Sequence, residues 1–336
     1  MLEHGGRLRG AAAKYGIPVA DWLDLSSGIS PWSWPIPPIP ESAWARLPET
    51  DDGLEAAARA YYGAPDLLPV AGSQAAIQAL PRLRQAGKVG VLSPCYAEHA
   101  EAWRNCGFLV REVLEHEVGR FIDSLDVLVV VNPNNPTGLS LTPERLLQWH
   151  ARLAQRGAWL VVDEAFMDNT PHLSLAAQTQ QPGLIVLRSF GKFFGLAGVR
   201  LGFVLAESRF LKTLAGQIGP WSVSGPTRIL GQACLEDLEG HRLQCERTEI
   251  ASQRLIDLLT RHGFAPQGGC ALFQWFITPK AAALYEFCAR RAILLRIFLN
   301  NSVHNSSLRL GLPKEEADWH KLERVLGEFA KEQGDA

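Results

Sequence analysis

Four side chains able to take part in chemistry follow apolar runs that are typical of buried strands. The run VLVVV is followed by Asn135 in NPNNPTG, and the run AWLVV is followed by Asp163 in DEAF. VLRS leads to Lys192 in FGK, and GVLS leads to Tyr96 in PCYAEH. Because open parallel sheets bind ligands at the carboxyl ends of their strands, we expect these four side chains at one edge of a sheet.

An amine, a carboxylate, an amide and an aromatic ring together meet the needs of pyridoxal 5'-phosphate. Lys192 would hold the cofactor aldehyde, and Asp163 would keep the pyridine nitrogen protonated, since a buried carboxylate is costly without a charged partner. Asn135 would donate to the phenolic oxygen, and Tyr96 would stack on the ring. The sequence therefore predicts pyridoxal phosphate as the cofactor.

The cofactor phosphate has its own candidate site, where the strand LLPVAG gives way to a helix. Gly72, Ser73 and Gln74 stand at this point, and the first amide groups of a helix point at a bound anion. Ser189 and Arg200, on either side of Lys192, are expected to complete the site.

Each residue also has a plainer interpretation. Asp163 with Glu164 could be a structural ion pair, Asn135 a turn former and Tyr96 a core residue. Ser189-x-x-Lys192 also matches the S-x-x-K motif of penicillin-recognising serine enzymes, but no later S-D-N or K-T-G is present. A lone four-residue match is weak, so the complete set favours the cofactor site.

The elements that must position these residues follow an alternating order. Between residue 54 and about residue 234, helical stretches separate VGVLSP, VLVVVNP, AWLVVDEAF and LIVLRSF, which are continuous apolar runs. Such runs are typical of a parallel sheet covered on both faces, which predicts an α/β fold. The link between LIVLRSF and VRLGFVLA is too short for a parallel crossover, so the strand 200–205 should be antiparallel.

Three regions are expected along the chain. Residues 1–45, with the proline-rich SPWSWPIPPIP, predict an N-terminal arm that packs with the small domain and the active site. Residues 46–240 form the large cofactor-binding domain. Residues 241–336 form a smaller α/β domain with a long helix (ERTEIASQRLIDLLTRHG), a strand pair around CALFQWFIT and LLRIF, a strand SSLRLGL and a closing helix.

Composition excludes several classes of protein. The 336 residues are 47% hydrophobic and carry a net charge of -2, so there is no basic field for nucleic acid. No apolar run approaches the roughly 20 residues of a membrane span, and the first residues do not resemble a signal peptide. We expect a cytoplasmic protein with no membrane partner. The six cysteines form no CxxC pair, which predicts reduced thiols and no metal site.

The motifs N-P-N-N-P-T-G, D-E-A and S-F-G-K…G-V-R-L-G resemble those of fold-type I pyridoxal phosphate enzymes of the aminotransferase superfamily. Their order and spacing match along most of the chain. The resemblance implies that Lys192 bonds to the cofactor, that Asp163 pairs with its pyridine nitrogen and that Asn135 binds its phenolic oxygen. It also implies a fold-type I architecture and a homodimer with active sites near the subunit interface.

Two branches of that superfamily compete, the histidinol-phosphate aminotransferases and the L-threonine-O-3-phosphate decarboxylases of cobalamin biosynthesis. HGGRLRGAAAKYG followed by LDLSSGISP is similar to the H-G-G…L-D-x-S-x-G-I-N-P opening of the decarboxylases. This likeness implies that His4, Gly5, Gly6 and Ile29 contact the phosphate or carboxylate of a phosphorylated amino acid. Otherwise His4 would be an ordinary terminal histidine.

Some residues depart from the pattern of the superfamily. Phe166 stands where many relatives have a tyrosine, and it can donate no hydrogen bond to the phenolic oxygen. This change argues mildly against an aminotransferase. Leu47 replaces a tyrosine that reaches the partner's cofactor phosphate, Ser30 replaces an asparagine and Ala75 replaces a glutamate, so these contacts are not carried over.

Two arginines are candidates for binding the substrate. Arg309, in SSLRLGL, aligns with the carboxylate-binding arginine of the superfamily, and a guanidinium can donate two parallel hydrogen bonds to a carboxylate. Arg296, in ILLRIF, would add a second cation for a substrate with both carboxylate and phosphate groups, or it could lie on a solvated strand face.

The likeness to the decarboxylases implies decarboxylation of L-threonine O-3-phosphate to (R)-1-amino-2-propanol O-2-phosphate, with Lys192 returning a proton to Cα. Transamination is the alternative, because the sequence does not fix which bond at Cα is aligned for cleavage. A cofactor-binding protein without catalysis is a third hypothesis, which the complete set of cofactor residues disfavours.

Overall fold

The computed structural model describes residues 4–299 and 305–334. Within them the chain divides into two units. The first contains the chain up to Trp32, Pro136–Gly138 and the chain from Leu243 onward, and the second contains Ser33–Asn135 and Leu139–Arg242. The division into an arm (1–45), a large domain (46–240) and a small domain (241–336) stays a prediction.

A seven-stranded sheet forms the centre of the second unit. Its strands are β2 (Leu67–Val70), β3 (Lys88–Leu92), β4 (Leu109–Val113), β5 (Val127–Val131), β6 (Trp159–Asp163), β7 (Leu184–Ser189) and β8 (Gly202–Leu205). The order is β2-β8-β7-β6-β5-β3-β4. β8 is antiparallel to β2 and β7, and every other pair is parallel. The predicted parallel sheet with one antiparallel strand is confirmed.

Helices pack around this sheet. They are α2 (Ser42–Ala45), α3 (Leu54–Tyr62), α4 (Ser73–Ala79), α5 (Glu98–Asn105), α6 (Val118–Phe121), α7 (Pro143–Ala154), α8 (Phe190–Phe193), α9 (Ser208–Ile218) and α10 (Gly225–Glu236). Thr142 caps α7 by accepting from the amide of Arg145, and Pro143 occupies the first turn. Every residue of β5 is buried, which explains its unbroken apolar sequence.

The first unit contains an antiparallel sheet of four strands in the order β12-β13-β10-β9. These are β9 (Gly268–Cys270), β10 (Phe273–Ile277), β12 (Arg296–Phe298) and β13 (Ser307–Gly311). A separate pair joins β1 (Leu23–Asp24) to β11 (Ile293–Leu294) in parallel. The helices are α1 (Leu8–Tyr15), α11 (Leu238–Arg261, in this unit from Leu243), α12 (Ala281–Ala289) and α13 (Glu316–Gly334).

The strand pairing predicted for this sheet is wrong in one respect. CALFQWFIT and LLRIF do not pair, because β13 lies between β10 and β12. The LLRIF run is moreover shared between β11, which pairs with β1, and β12. Apolar runs reveal strands but not their partners, since pairing depends on residues distant in sequence.

The N-terminal segment packs within the first unit. Ala11 of α1 and Trp22 share a buried cluster with Ala289 of α12 and Ala292. The Tyr15 hydroxyl donates to Glu286 Oε2 at 2.6 Å.

Short 3-10 turns complete the described chain, at Val19–Asp21, Leu80–Leu83, Glu115–Glu117, Ile122–Ser124, Pro171–Leu173, Ala176–Gln178 and Ala197–Val199. Among residues 4–299 and 305–334, no helix has the length and apolar character needed to cross a membrane.

Candidate active site

The predicted cofactor residues of the second unit follow the carboxyl ends of parallel strands. β2 leads to Gly72, β3 to Tyr96, β5 to Asn135 and β6 ends at Asp163. β7 ends at Ser189, and all five strands run in the same direction. The structure therefore brings these residues to one edge of the sheet, as the strand-end argument predicted.

Asp163 is a buried carboxylate with both oxygens hydrogen-bonded, and its residue is only 3% exposed. Its Oδ1 accepts from the amide of Ala165 at 3.1 Å. Its Oδ2 lies 2.8 Å from Nε2 of His99, which is itself 2% exposed. A buried carboxylate is tolerated only with such partners, so His99 satisfies one oxygen of Asp163 and fixes the position of the side chain.

Sequence reasoning missed His99. The available signal was its spacing, because it stands three residues after Tyr96, which is about one helical turn. The Tyr96 and His99 rings form an edge-to-face pair with centroids 6.1 Å apart. The two side chains therefore belong to one cluster with Asp163.

Tyr96 is held by the helix that follows β2. Its hydroxyl donates to Gln74 Oε1 at 3.2 Å, and Gln74 Nε2 donates to Glu98 Oε2 at 3.0 Å. Burial, followed by the charge of Glu98, raises the pKa of Tyr96 to about 12. The phenol is therefore neutral and a donor at ordinary pH, and its ring is fixed relative to α4.

The turn between β2 and α4 depends on a glycine. Gly72 has a φ of 75°, and a Cβ on it would lie 2.6 Å from Arg200 Nη2. A Cβ on Gly202 would lie 2.6 Å from the amide nitrogen of Ser73. The Arg200 guanidinium and the Ser73 amide therefore lie so close to Gly72 and Gly202 that neither glycine has room for a side chain. This arrangement suits a phosphate group.

Lys192 lies in α8, one turn after Ser189, and both residues are half-buried. Aromatic contacts anchor this helix: the Phe190 and Phe194 rings stack with centroids 4.2 Å apart. The Trp34 ring packs edge-on against Phe194 at 4.8 Å. The backbone that carries Lys192 is therefore held firmly within this unit.

A buried ion cluster of Arg188, Glu164 and Asp168 fixes the strands that carry the site. Arg188 Nη1 donates to Glu164 Oε2 and its Nη2 to Asp168 Oδ1, both at 3.0 Å. The three side chains are at most 3% exposed. Because Glu164 follows Asp163 and Arg188 precedes Ser189, the cluster ties the end of β6 to the end of β7.

Glu164 has further hydrogen-bond partners outside the cluster. Glu164 accepts from Ser174 Oγ at 2.5 Å and from the Leu175 amide at 2.8 Å. Burial alone lowers the pKa of Arg188, but the charges of Asp168 and Glu164 outweigh burial and raise it. No sequence motif indicated this cluster, because Arg188 follows Glu164 by 24 residues and Asp168 by 20.

The candidate substrate residues lie in the first unit. Arg309 is 6% exposed, and its Nη2 donates to the carbonyl oxygen of Ser26 at 3.0 Å. Arg296 stands directly opposite Arg309 across β12 and β13. Burial, and then the charge of Arg296, lower the pKa of Arg309. Two neighbouring cations of this kind favour an anionic ligand.

Ser26 joins the N-terminal glycines to Arg309. The amide of Gly6 donates to Ser26 Oγ at 2.7 Å, and a Cβ on Gly5 would collide with the Ser26 carbonyl oxygen. His4 precedes these glycines and is half-buried, as is Ile29, three residues after Ser26. Ser26 therefore links the predicted HGG segment to Arg309. Ser26 lies in the motif LDLSSGISP, but no role was predicted for it.

The four residues that depart from the superfamily pattern differ in exposure and in hydrogen bonding. Phe166 is 6% exposed, whereas Leu47 is 63% exposed. Ser30 Oγ accepts from Gln244 Nε2 at 2.7 Å. The Ala75 amide donates to the Gly72 carbonyl oxygen at 3.0 Å.

The residue set in the second unit fits an aldehyde cofactor that carries a phosphate and a basic ring nitrogen. It offers an amine at Lys192, a buried carboxylate at Asp163 and a glycine-lined anion site at Gly72. All six cysteines are free. Within residues 4–299 and 305–334, no group of three or more metal-binding side chains is found.

Comparison with known proteins decides the family. The sequence profile of aminotransferase class I and II matches residues 41–317. The chain belongs to this family. The resemblance inferred from the motifs is therefore confirmed.

Two relatives within this family share the name threonine-phosphate decarboxylase. A threonine-phosphate decarboxylase of Pseudomonas aeruginosa is 64% identical over 326 residues, which cover 97% of each chain. A threonine-phosphate decarboxylase of Sinorhizobium sp is 41% identical over 332 residues, again 97% of each chain. Both likenesses extend over almost the whole length of the protein.

A solved structure shows the same fold. The histidinol-phosphate aminotransferase of Sinorhizobium meliloti, in complex with pyridoxal-5'-phosphate, matches with a TM-score of 0.80. The match covers 99% of this chain and 96% of that one, at 19% sequence identity. The predicted fold-type I architecture is confirmed.

Proposed function

We propose that this protein is a pyridoxal phosphate-dependent lyase that decarboxylates L-threonine O-3-phosphate in cobalamin biosynthesis. Its product is then (R)-1-amino-2-propanol O-2-phosphate. The observation that carries the proposal is the 64% identity to the Pseudomonas aeruginosa threonine-phosphate decarboxylase, which extends over 97% of both chains.

We assign the cofactor to the residues that follow the carboxyl ends of the parallel strands in the second unit. Lys192 would bond to the cofactor aldehyde, Asp163 would pair with the ring nitrogen and Asn135 would donate to the phenolic oxygen. Tyr96 would cover the ring face. The phosphate site is assigned to Gly72, Ser73, Gln74, Ser189 and Arg200. The buried, doubly hydrogen-bonded state of Asp163 supports this assignment, because a pyridinium is the charge such a carboxylate would meet.

When bound, the cofactor supplies an electron sink for the bond that breaks at Cα. Arg309 binds the substrate carboxylate through two parallel hydrogen bonds. Arg296 and the segment His4, Gly5, Gly6 and Ile29 bind the phosphate. Lys192 returns a proton to Cα after carbon dioxide leaves.

The test is carbon dioxide release from L-threonine O-3-phosphate by the purified holoenzyme without any keto acid. We expect carbon dioxide and the amino-alcohol phosphate in equal amounts. If product formed only after addition of 2-oxoglutarate, the lyase proposal would be refuted and a transaminase supported.

A histidinol-phosphate aminotransferase is the second candidate, because a solved enzyme of that name shares the fold with a TM-score of 0.80. Its 19% identity is far below that of the decarboxylase relatives. The absence of a hydroxyl on Phe166 also favours the lyase, since no second donor reaches the phenolic oxygen from this position. Incubation with histidinol phosphate and 2-oxoglutarate tests this alternative directly, and we expect no reaction.

We further propose that the protein is a cytoplasmic homodimer. Three large apolar side chains of the second unit support a self-association surface: Trp44 is 69% exposed, Leu47 63% and Trp221 60%. Sedimentation should give twice the monomer mass, and Trp44→Asp should shift the protein toward monomer.

Cell fractionation should recover the enzyme with the cytoplasmic proteins.

A further inference from the structure

One row of residues crosses the four-stranded sheet of the first unit. Arg296 of β12 stands opposite Arg309 of β13, Arg309 opposite Trp275 of β10, and Trp275 opposite Gly268 of β9. Directly paired residues of antiparallel strands project from the same face, with Cβ atoms about 5 Å apart. Two guanidinium groups and one indole therefore share a face of the sheet.

The opposite face of this sheet is covered by helices of the same unit. Gln274, next to Trp275 in β10, donates to Ser252 of α11 at 2.8 Å. Phe276 packs on Phe264, with ring centroids 5.4 Å apart. Because side chains alternate along a strand, the row that contains Trp275 lies on the face away from these helices.

Trp275 Nε1 is buried and has no hydrogen-bond partner among the described residues. A buried N–H group without an acceptor costs about 1–3 kcal/mol, and native proteins contain few of them. A Cβ placed on Gly268 would meet both the Thr137 carbonyl oxygen and the Trp275 ring, yet within residues 4–299 and 305–334 the indole N–H donates to no acceptor. A buried donor of this kind calls for an acceptor such as a water or a ligand oxygen, and the neighbouring Arg296 and Arg309 favour an anionic ligand here.

The charges of the row favour an anion with more than two oxygens. A carboxylate is satisfied by one guanidinium, which contacts both of its oxygens. A phosphate monoester has three terminal oxygens and carries close to two negative charges at neutral pH. Arg296, Arg309 and the indole N–H provide more donors than one carboxylate accepts, and together they match a substrate that carries both groups.

We propose that Trp275 is a specificity-determining residue whose indole N–H donates to the phosphate group of the substrate. Arg296 acts on the same phosphate, while Arg309 serves the carboxylate. The inference rests on the proposed function in that the substrate is a phosphorylated amino acid. It adds a residue that discriminates phosphorylated from unphosphorylated substrates.

The experiment compares wild-type holoenzyme with Trp275→Phe, which keeps an aromatic ring and removes the N–H. Using holoenzyme keeps the cofactor's own phosphate site filled, so that added inorganic phosphate reports on the substrate site. We expect the Kd of inorganic phosphate, measured by calorimetry, to rise roughly 10- to 150-fold, as loss of one hydrogen bond to an anion predicts. KM for L-threonine O-3-phosphate should rise similarly, with kcat nearly unchanged, and L-threonine should bind as tightly as before.

Three further variants control for packing. Trp275→His retains a ring N–H and should recover part of the phosphate affinity. Trp275→Met, which fills space flexibly without a donor, replaces Trp275→Phe if that variant does not fold. Trp319→Phe alters another buried indole of the same unit and should leave phosphate binding unchanged.

Two results would overturn the proposal. The first is wild-type affinity for inorganic phosphate in the folded variant that lacks the donor, Trp275→Phe or its replacement Trp275→Met. The second is an equal loss of affinity for L-threonine, which would assign the N–H to the carboxylate or to packing. If phosphate binding depends on Trp275 but wild-type enzyme releases no carbon dioxide, the proposed function fails and the anion site stands.

Discussion

Replacing His99 with phenylalanine should weaken cofactor binding by Asp163 although Asp163 itself is unchanged. His99→Phe removes the 2.8 Å hydrogen bond to Asp163 Oδ2 and leaves that oxygen buried without its partner. A hydrogen bond to a charged group contributes about 1.5–3 kcal/mol, which corresponds to roughly a 10- to 150-fold change in an equilibrium constant. Asp163 is the group that would hold the ring nitrogen, so we expect cofactor Kd to rise by that factor and kcat to fall.

A matched control separates this effect from loss of packing. His150 is 3% exposed in the same unit, and its Nε2 lies 3.0 Å from the carbonyl oxygen of Pro182. His150→Phe should lower thermal stability comparably but leave cofactor affinity unchanged. The assay is titration of apoenzyme with pyridoxal phosphate, followed by absorbance. If both variants bound the cofactor within about threefold of wild type, the role assigned to His99 would be wrong.

Three other perturbations have definite outcomes. Ser26→Ala removes the 2.7 Å bond to the Gly6 amide, so KM should rise roughly 3- to 10-fold with kcat little changed. Gly72→Ala forces a side chain into a left-handed conformation beside a guanidinium, so cofactor Kd, measured by absorbance, should rise roughly tenfold. Partial burial alone raises the pKa of Asp52, but the hydrogen bonds and charge of Arg228, together with backbone amides such as that of Leu54, outweigh burial and lower the pKa below 3.8. Arg228→Met should therefore cost about 1 kcal/mol in urea unfolding at pH 7, and the difference should disappear as pH falls below 3.8 through the lowered pKa.

Each of these predictions has an outcome that contradicts it. An unchanged KM in Ser26→Ala would separate the N-terminal segment from substrate binding. Normal cofactor affinity in Gly72→Ala would show that the turn after β2 does not hold the phosphate. A stability difference for Arg228→Met that persisted at pH 2 would assign the loss to packing.

The large sheet was predictable because its physics is local. A strand buried on both faces must be apolar throughout, so β5 and β7 are visible as continuous runs. The antiparallel direction of β8 followed from the length of the preceding link. Asn135 and Asp163 were found because strands that run in parallel place their ends together.

Other features depend on contacts that no local pattern encodes. His99 is one histidine on an ordinary amphipathic helix until the fold places it against Asp163. Arg188 lies in an apolar strand, and only its distant partner Asp168 explains why a charge is tolerated there. Similarly, the pairing of Trp275 with Arg309 follows from the position of β13 in its sheet, which apolar runs alone did not give.

Borohydride reduction of the holoenzyme tests most directly whether Lys192 carries the cofactor. Reduction makes the bond between the cofactor and its lysine permanent, and mass spectrometry of the digested protein then locates the modified residue. We expect one modified peptide, containing Lys192, and no modification in Lys192→Ala. A label on any other lysine, or one that persists in the variant, would contradict the account.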